Sequence, residues 1–308
     1  MANYLITGGT GMVGSALCEQ LIRTGQHVII LTRDPDSFTS ASPLLSYRHW
    51  DPYKGRIDED AIRQADYVIH LAGANVAEKR WTPKRKKEIV DSRVVSGRFL
   101  SHSLASIPHQ IKAVIGASAQ GWYGPDPAIP NAIPFQETDP VHPDFLGSTC
   151  KLWEESLHPI REQGIRLISL RIGIVLSTKG GALAEFRKPV RFGICPILGN
   201  GQQMISWIHI QDLVSMIDWS LKNEKISGVY NAAAPTPVSN RNLMLCLARV
   251  NRQPFLPVPV PTFILNWMLG EMSIEILKST TMSTQKMQDA GFEFSFPNIE
   301  DALRDLLH

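Results

Sequence analysis

MANYLITGGTGMVG (residues 1–14) runs from a short apolar stretch ending in Leu5-Ile6 into glycines at positions 8, 9, 11 and 14. SALCEQLIRTG follows, and Val13, Leu17 and Leu21 stand four residues apart, the spacing of one helix face. Gly25 supplies a helix stop, and HVIILT (27–32) reads as the next strand. Strand, glycine-rich turn, helix and strand, in that order, is the context in which a glycine triplet binds a dinucleotide. Gly8 allows the tight turn, Gly11 lets a pyrophosphate approach the backbone, and Gly14 lets helix and strand pack closely. The phosphates would rest on the backbone around Thr10, Met12 and Val13, at the positive end of the helix.

The second strand ends in Thr32-Arg33-Asp34. A site for NAD expects an acidic residue here to hold the ribose 2′-hydroxyl, whereas a guanidinium grips a 2′-phosphate through charge-assisted hydrogen bonds. Asp34 stands one position late, so Arg33 points to NADP(H) as the cofactor. Trp50-Asp51 closes a third strand, and Asp51 is either an acceptor for the adenine amino group or a plain turn aspartate. ADYVIHLAG (65–73) is a buried strand ending in glycine, and AVIGASAQGWYG (113–124) is the fifth strand with its exit loop. In open α/β sheets chemistry gathers at the carboxyl ends of strands. Ser118 and Tyr123 are therefore candidates for polarising a carbonyl and passing a proton.

The rest of the composition narrows the class. A chain of 308 residues with 44% hydrophobic and 19% charged residues suits a globular α/β protein, in one large domain or two smaller ones. Its net charge of +2 points to neither nucleic acid nor membrane. Cys18, Cys150, Cys195 and Cys246 are scattered, which reads as reduced thiols in a cytoplasmic protein. No run of apolar residues is long enough to span a membrane, no dense ligand cluster suggests a metal, and no nucleophile-elbow motif suggests a hydrolase. Lys79, Arg80, Lys84, Arg85, Lys86 and Lys87 form a basic run with no aromatic series beside it, read as a solvated helix face. Ile89, Arg93, Val94, Gly97 and Leu100 continue it as a helix with one buried side. The scattered histidines His27, His49, His70, His102, His109 and His142 stand singly.

The GxxGxxG spacing, ADYVIHLAG and GASAQGWYG resemble the extended, epimerase-like branch of the short-chain dehydrogenase/reductases. GGTGMVG, HLAGANVAEKRW, SRV, GWYG, CKLWE, WIHIQDL and the tail GFEFSFPNIEDAL are collinear with an atypical set of that branch, usually called epimerase-family proteins. The resemblance implies a doubly wound parallel sheet of about seven strands. It divides the chain into an NADP-binding domain, 1–235, and a C-terminal subdomain, 236–308, with 175–205 on the substrate side. It places Thr32, Arg33, the backbone of Leu71, Ala72 and Gly73, and Glu88 and Arg93 beside NADP. It assigns a catalytic hydroxyl near Ser118, with Ala119 in the place an ungapped count from Tyr123 selects.

The branch's catalytic YxxxK pair matches DFLGSTCKLWEES (144–156), where Lys151 can hold the nicotinamide ribose. Four residues before it stands Gly147, and no tyrosine occurs anywhere in 124–165. Two readings follow. One is an NADP-dependent oxidoreductase or epimerase acting on a small polar molecule, nucleotide sugars among them, with Lys151, Ser118 and Tyr123 at work. The other is an NADP(H)-binding sensor without turnover. A third, nucleic-acid binding through the basic run, would show as salt-sensitive affinity for any oligonucleotide. The expected partner is thus a small molecule, with no nucleic acid and no membrane, and the oligomeric state is open, a homodimer included. His209 and Asp212, in SWIHIQDLV, are read as organisers of a turn.

Overall fold

The computed structural model describes residues 1–40 and 42–308. Its centre is a sheet of β1 (Asn3–Thr7), β2 (His27–Thr32), β3 (Leu45–Asp51), β4 (Arg56–Ile57), β5 (Tyr67–His70), β6 (Ala113–Ala119), β7 (Arg166–Ile172) and, later in the chain, β12 (Gly228–Ala232). The spatial order is β12-β7-β6-β5-β1-β2-β3-β4. Seven strands are parallel, and β4, two residues long, pairs antiparallel to β3 at the edge. This is the expected doubly wound sheet with one short strand added. Runs such as YLIT, VIILT and AVIGASA are apolar without alternation because helices cover both faces.

One face carries α1 (Met12–Arg23) and α6 (Ile210–Lys222); the other carries α2 (Glu59–Gln64), α3 (Pro83–Ser106) and α4 (Phe145–Glu162). On the first face Leu17 and Leu21 of α1 meet Leu213 and Ile217 of α6 over Ile6 and Ile30. On the second, Leu100 and Leu104 of α3 meet Leu157 and Ile160 of α4 over Leu5 and Val114. The order of strands reverses between β1 and β5, the switch point beyond whose carboxyl ends open α/β sheets bind their ligands.

A second apolar cluster lies outside this sheet. It gathers α5 (Gly181–Val190), β9 (Ile194–Leu198), α7 (Asn240–Val250) and α11 (Ile299–Leu307) around Trp207, Leu243 and Leu303. β8 (Ile174–Leu176) pairs with β11 (Trp207–His209), β10 (Met204–Ile205) with β13 (Val238–Ser239), and β14 (Leu256–Val260) with β9. Residues on both sides of position 235 thus share one core. α8 (Thr262–Leu269), α9 (Ser273–Leu277) and α10 (Gln285–Asp289) follow. Between α9 and α10 the chain returns to the sheet. Thr280 N donates to Met204 O at 3.1 Å, and Phe135 N donates to Thr281 O at 2.8 Å. Asp126, beyond β6, accepts from Ser279 Oγ, Thr281 N and Thr281 Oγ1 at 2.7–3.0 Å. His209 caps α6 by accepting from Gln211 N, and Asp212 accepts from Ser295 N and Phe296 N. Among the described residues no helix is long and apolar enough to cross a membrane.

Candidate functional site

The glycine turn follows β1 at the switch point of the sheet. Gly8 has φ +72°, and a Cβ there would lie 2.8 Å from the Leu71 carbonyl carbon. Only glycine lets β1 and the HLAG strand end touch in that conformation. A Cβ on Gly14 would lie 2.2 Å from Gly8 O, so the first turn of α1 rests directly on the loop. Gly11 is the helix N-cap and has no side chain to cap with. The amides of Met12, Val13 and Gly14 consequently have no acceptor among the described residues. Three free donors on the positive end of a twelve-residue helix could hold a phosphate.

Beyond β2 the structure shows an open cleft lined by Arg33, Asp34, His49, Asp51, Tyr53, Lys54 and Arg56. Arg33 is exposed and has no carboxylate partner among the described residues. Asp34 is occupied as an acceptor for Ser37 Oγ. Asp51 caps its own turn, accepting from Tyr53 N at 3.1 Å and Lys54 N at 3.3 Å, so its plain turn reading fits the geometry. His49, Lys54 and Arg56 add positive or titratable groups to the cleft, which no local motif marks. Their signal was pairing: β3 and β4 bring them to the Arg33 side.

At the end of β5, Leu71 N donates to Thr7 O and Ala72 N to Thr7 Oγ1. Thr7 Oγ1 lies 2.8 Å from His70 Nδ1, and Ser96 Oγ lies 3.2 Å from His70 Nε2. Ser96 Oγ donates to Ser92 O, so the imidazole carries its proton on Nε2 and Thr7 donates to Nδ1. Burial pushes the His70 pKa down to about 4. Arg93 lies under Gly73, where a Cβ would come within 3.2 Å of its guanidinium carbon. It donates to Ala74 O and Ile89 O and stacks on Trp153 at 4.7 Å. Burial pushes its pKa down to about 10, and no carboxylate answers its charge among the described residues. Glu88 pairs with Arg85 at 2.8 Å on the exposed side of α3. Arg85 is itself buried, reaching Glu78 at 3.0 Å, so the basic run is not uniformly a solvated face.

The three residues expected to act on substrate do not meet. Ser118 Oγ donates to Glu154 Oε1 at 2.7 Å, and Glu154 pairs with both ends of the Arg171 guanidinium at 2.9 and 3.1 Å. Arg171 Nη1 also donates to Tyr123 Oη at 3.1 Å, and Tyr123 donates to Asn231 Oδ1 at 2.7 Å. All five are buried, and burial pushes the Tyr123 phenol up to about 12. Ser118 and Tyr123 thus belong to one closed network around an ion pair, not to an open pocket. Nothing local in the sequence marks Glu154 and Arg171 as partners.

Lys151 differs from its expected placement. Its side chain is 54% exposed and its Nζ lies 3.9 Å from Glu155 on the outer face of α4. The inward position is Cys150, whose Sγ lies 3.7 Å from Ala119 O and whose thiol burial pushes up to about 12. Gly147 explains the missing tyrosine sterically. A Cβ there would stand 2.0 Å from His142 O, because the 142–144 turn folds over the start of α4. Asp144 caps that helix through Gly147 N at 2.6 Å.

Comparison with known proteins follows the same outline. The pattern of the NAD dependent epimerase/dehydratase family matches residues 4–233, and a domain of unknown function, DUF1731, matches residues 260–306. Epimerase family protein SAR0825 of Staphylococcus aureus is 36% identical over 312 residues, covering 100% of this chain and 99% of the relative. Human epimerase family protein SDR39U1, solved with NADPH, superposes with a TM-score of 0.85 over 99% of both chains at 24% identity. A nucleoside-diphosphate sugar epimerase from Corynebacterium glutamicum gives 0.76 at 28% identity, covering 99% of this chain and 58% of that one.

Proposed function

This chain belongs to the NAD dependent epimerase/dehydratase family, and from that premise we propose that it is an NADP(H)-dependent oxidoreductase or epimerase acting on a small polar substrate. The observation that carries the reading is the uncapped turn at Gly8–Gly14, with three amides free among the described residues at the start of α1 and two glycines whose missing Cβ lets the loop pack against Leu71 and against itself. Met12, Val13 and Gly14 would hold the pyrophosphate, with Thr10 and Gly11 alongside. The backbone of Leu71, Ala72 and Gly73 would border the adenosine half. Arg33, with Arg56 and Lys54 beside it in the cleft, would hold a 2′-phosphate. Bound there, the nicotinamide gives or takes a hydride. The human relative solved with NADPH and the sugar epimerase relative support the cofactor and a nucleotide-sugar class of substrate.

The reading without turnover, an NADP(H) sensor, draws on one specific observation. Gly147 has no room for the family's tyrosine, and Ser118 and Tyr123 are both spent on the Glu154–Arg171 pair.

Titration with NADPH and NADH, followed by nicotinamide fluorescence, tests the cofactor. A charge-assisted hydrogen bond contributes about 1.5–3 kcal/mol, or roughly ten- to a hundredfold in affinity. Arg33→Ala is expected to weaken NADPH by that factor and leave NADH unchanged. Equal losses for both would remove the 2′-phosphate role, and no binding of either by the wild type would remove the enzyme and sensor readings together.

A further inference from the structure

We infer that His142 is the proton-transfer group of this site, in place of the absent tyrosine; the inference rests on the NADP(H) reading above. Ser118, Tyr123 and Lys151, and the thiol Cys150 on the inward face of α4, are all engaged elsewhere in the fold. Ser118 and Tyr123 are locked in a buried network, Cys150 faces Ala119 O with its thiol pushed up to about 12, and Lys151 lies on the outer face of α4. His142 stands between the β6 exit turn and the start of α4, on the turn whose carbonyl occupies the place a side chain at 147 would leave α4.

The imidazole is held from several sides. His142 N donates to Trp122 O at 2.9 Å. Its ring lies on Gly124, where a Cβ would be 2.5 Å from Cδ2. Nδ1 lies 3.0 Å from Asp144 Oδ2, which fixes the ring and its tautomer. Asp144 is fixed in turn by Lys278 Nζ at 3.4 Å. Lys278 is nearly buried, and also donates to Tyr123 O at 3.2 Å and Glu275 Oε1 at 3.0 Å. The charged groups facing His142 are therefore Asp144 from its own turn and Glu275 and Lys278 from the returning C-terminal segment; the β6 exit turn, 120–124, contributes none. Nε2 has no hydrogen-bond partner among the described residues, and the side chain is 39% exposed. A positioned imidazole with one nitrogen on a carboxylate and the other free is the arrangement of a general acid or base.

In the reducing direction the substrate carbon gains a hydride, with its electron pair, from NADPH, which is oxidised to NADP⁺. The carbonyl oxygen gains the proton of His142 Nε2–H, so C=O becomes CH–OH. The imidazole left neutral regains a proton from water. Oxidation runs the same transfers backwards.

The test uses the full chain and diethyl pyrocarbonate, which acylates a free imidazole nitrogen, read by peptide mass spectrometry. His142 is expected to react while His70, with both nitrogens engaged, does not, and saturating NADPH is expected to slow His142 severalfold. A panel of carbonyl compounds with NADPH gives the second readout. His142→Asn should retain the NADPH affinity and melting temperature of the wild type and lose turnover by about a hundredfold or more. If NADPH saturates the protein and His142 reacts at an unchanged rate, or if His142→Asn turns over normally, the inference is overturned. If NADPH does not bind at all, the cofactor reading beneath it fails instead.

Discussion

The two ends of the crevice are built on opposite rules. At β1 the backbone is left open: among the described residues Met12, Val13 and Gly14 keep unanswered amides, and Arg33 keeps an unanswered charge. At β6 the candidate groups have found one another: Ser118 on Glu154, Glu154 on Arg171, Arg171 on Tyr123, Tyr123 on Asn231. Buried polar groups are ordinarily satisfied, so the unanswered groups of the open end fit the proposed cofactor, and the answered ones of the closed end tie β6, β7 and α4 together. Residue type alone pointed to chemistry at both. Partnership separates them.

The sharpest break of that contrast is at the ion pair. Glu154→Ala leaves a buried guanidinium with no carboxylate, and loss of one partner of such a pair costs about 3–5 kcal/mol. Urea unfolding should show a loss of that size. NADPH affinity below the transition should be unchanged, because Glu154 touches nothing in the glycine turn. A variant that keeps its stability and loses NADPH would reverse the assignment of the two ends.

Next in size is His70, which ties the open end to the interior. Its folded pKa, about 4, lies below the ordinary value of 6.5. The fold therefore favours the neutral ring, and this contribution is complete above pH 6.5. It is lost as the pH falls from 6.5 towards 4, where the unfolded chain binds a proton that the fold refuses. A displacement of that size corresponds to about 3 kcal/mol. Stability measured across this range should fall by about that much more in the wild type than in His70→Asn. Parallel curves for the two would mean that the ring is protonated in the fold.

Ser118→Ala and Tyr123→Phe probe the closed end more gently. Each removes one hydrogen bond to a charged partner, about 1.5–3 kcal/mol. Both should lower the unfolding midpoint, and neither should alter NADPH binding. Turnover, where a substrate is found, should persist in both. A Tyr123→Phe protein of normal stability and no turnover would return the phenol to the chemistry.

What the sequence disclosed about these two ends follows from the range of the forces involved. The glycine turn was legible because its cause is local: the absence of a Cβ at Gly8 and Gly14 is written at those positions. The parallel sheet was legible because strands buried on both faces become continuous apolar runs. The pairing at the closed end was not, because Glu154 and Arg171 come from different elements and meet each other and Tyr123 only in the fold. Arg85, in the middle of a basic run, is buried for a similar reason: Glu78, seven positions earlier, folds back onto it. The return of residues 279–283 to the site carries no period and no local motif, and its anchors, Asp126 and Phe135, are some 150 positions away.

Lys151 shows how fine the distinction is. One step along a helix turns a side chain by about 100°. That step separates Cys150, against Ala119 O, from Lys151, out beside Glu155. A motif read by spacing names the lysine; the face of α4 names its neighbour. Lys151→Met should therefore do very little. An exposed pair at 3.9 Å contributes at most about 1 kcal/mol, and a surface substitution usually stays within about 0.5 kcal/mol. NADPH affinity should match the wild type within twofold or so, the equivalent of about 0.4 kcal/mol. A tenfold loss would require the lysine to reach the nicotinamide ribose, which α4 permits only by turning its first turns about its own axis. That turn would lift Gly147 from His142 O and draw Cys150 away from the strand end, so the cysteine would become open to alkylation when NADPH binds. Alkylation rates of Cys150 with and without NADPH thus decide between a fixed helix with a spectator lysine and a helix that rotates to use it.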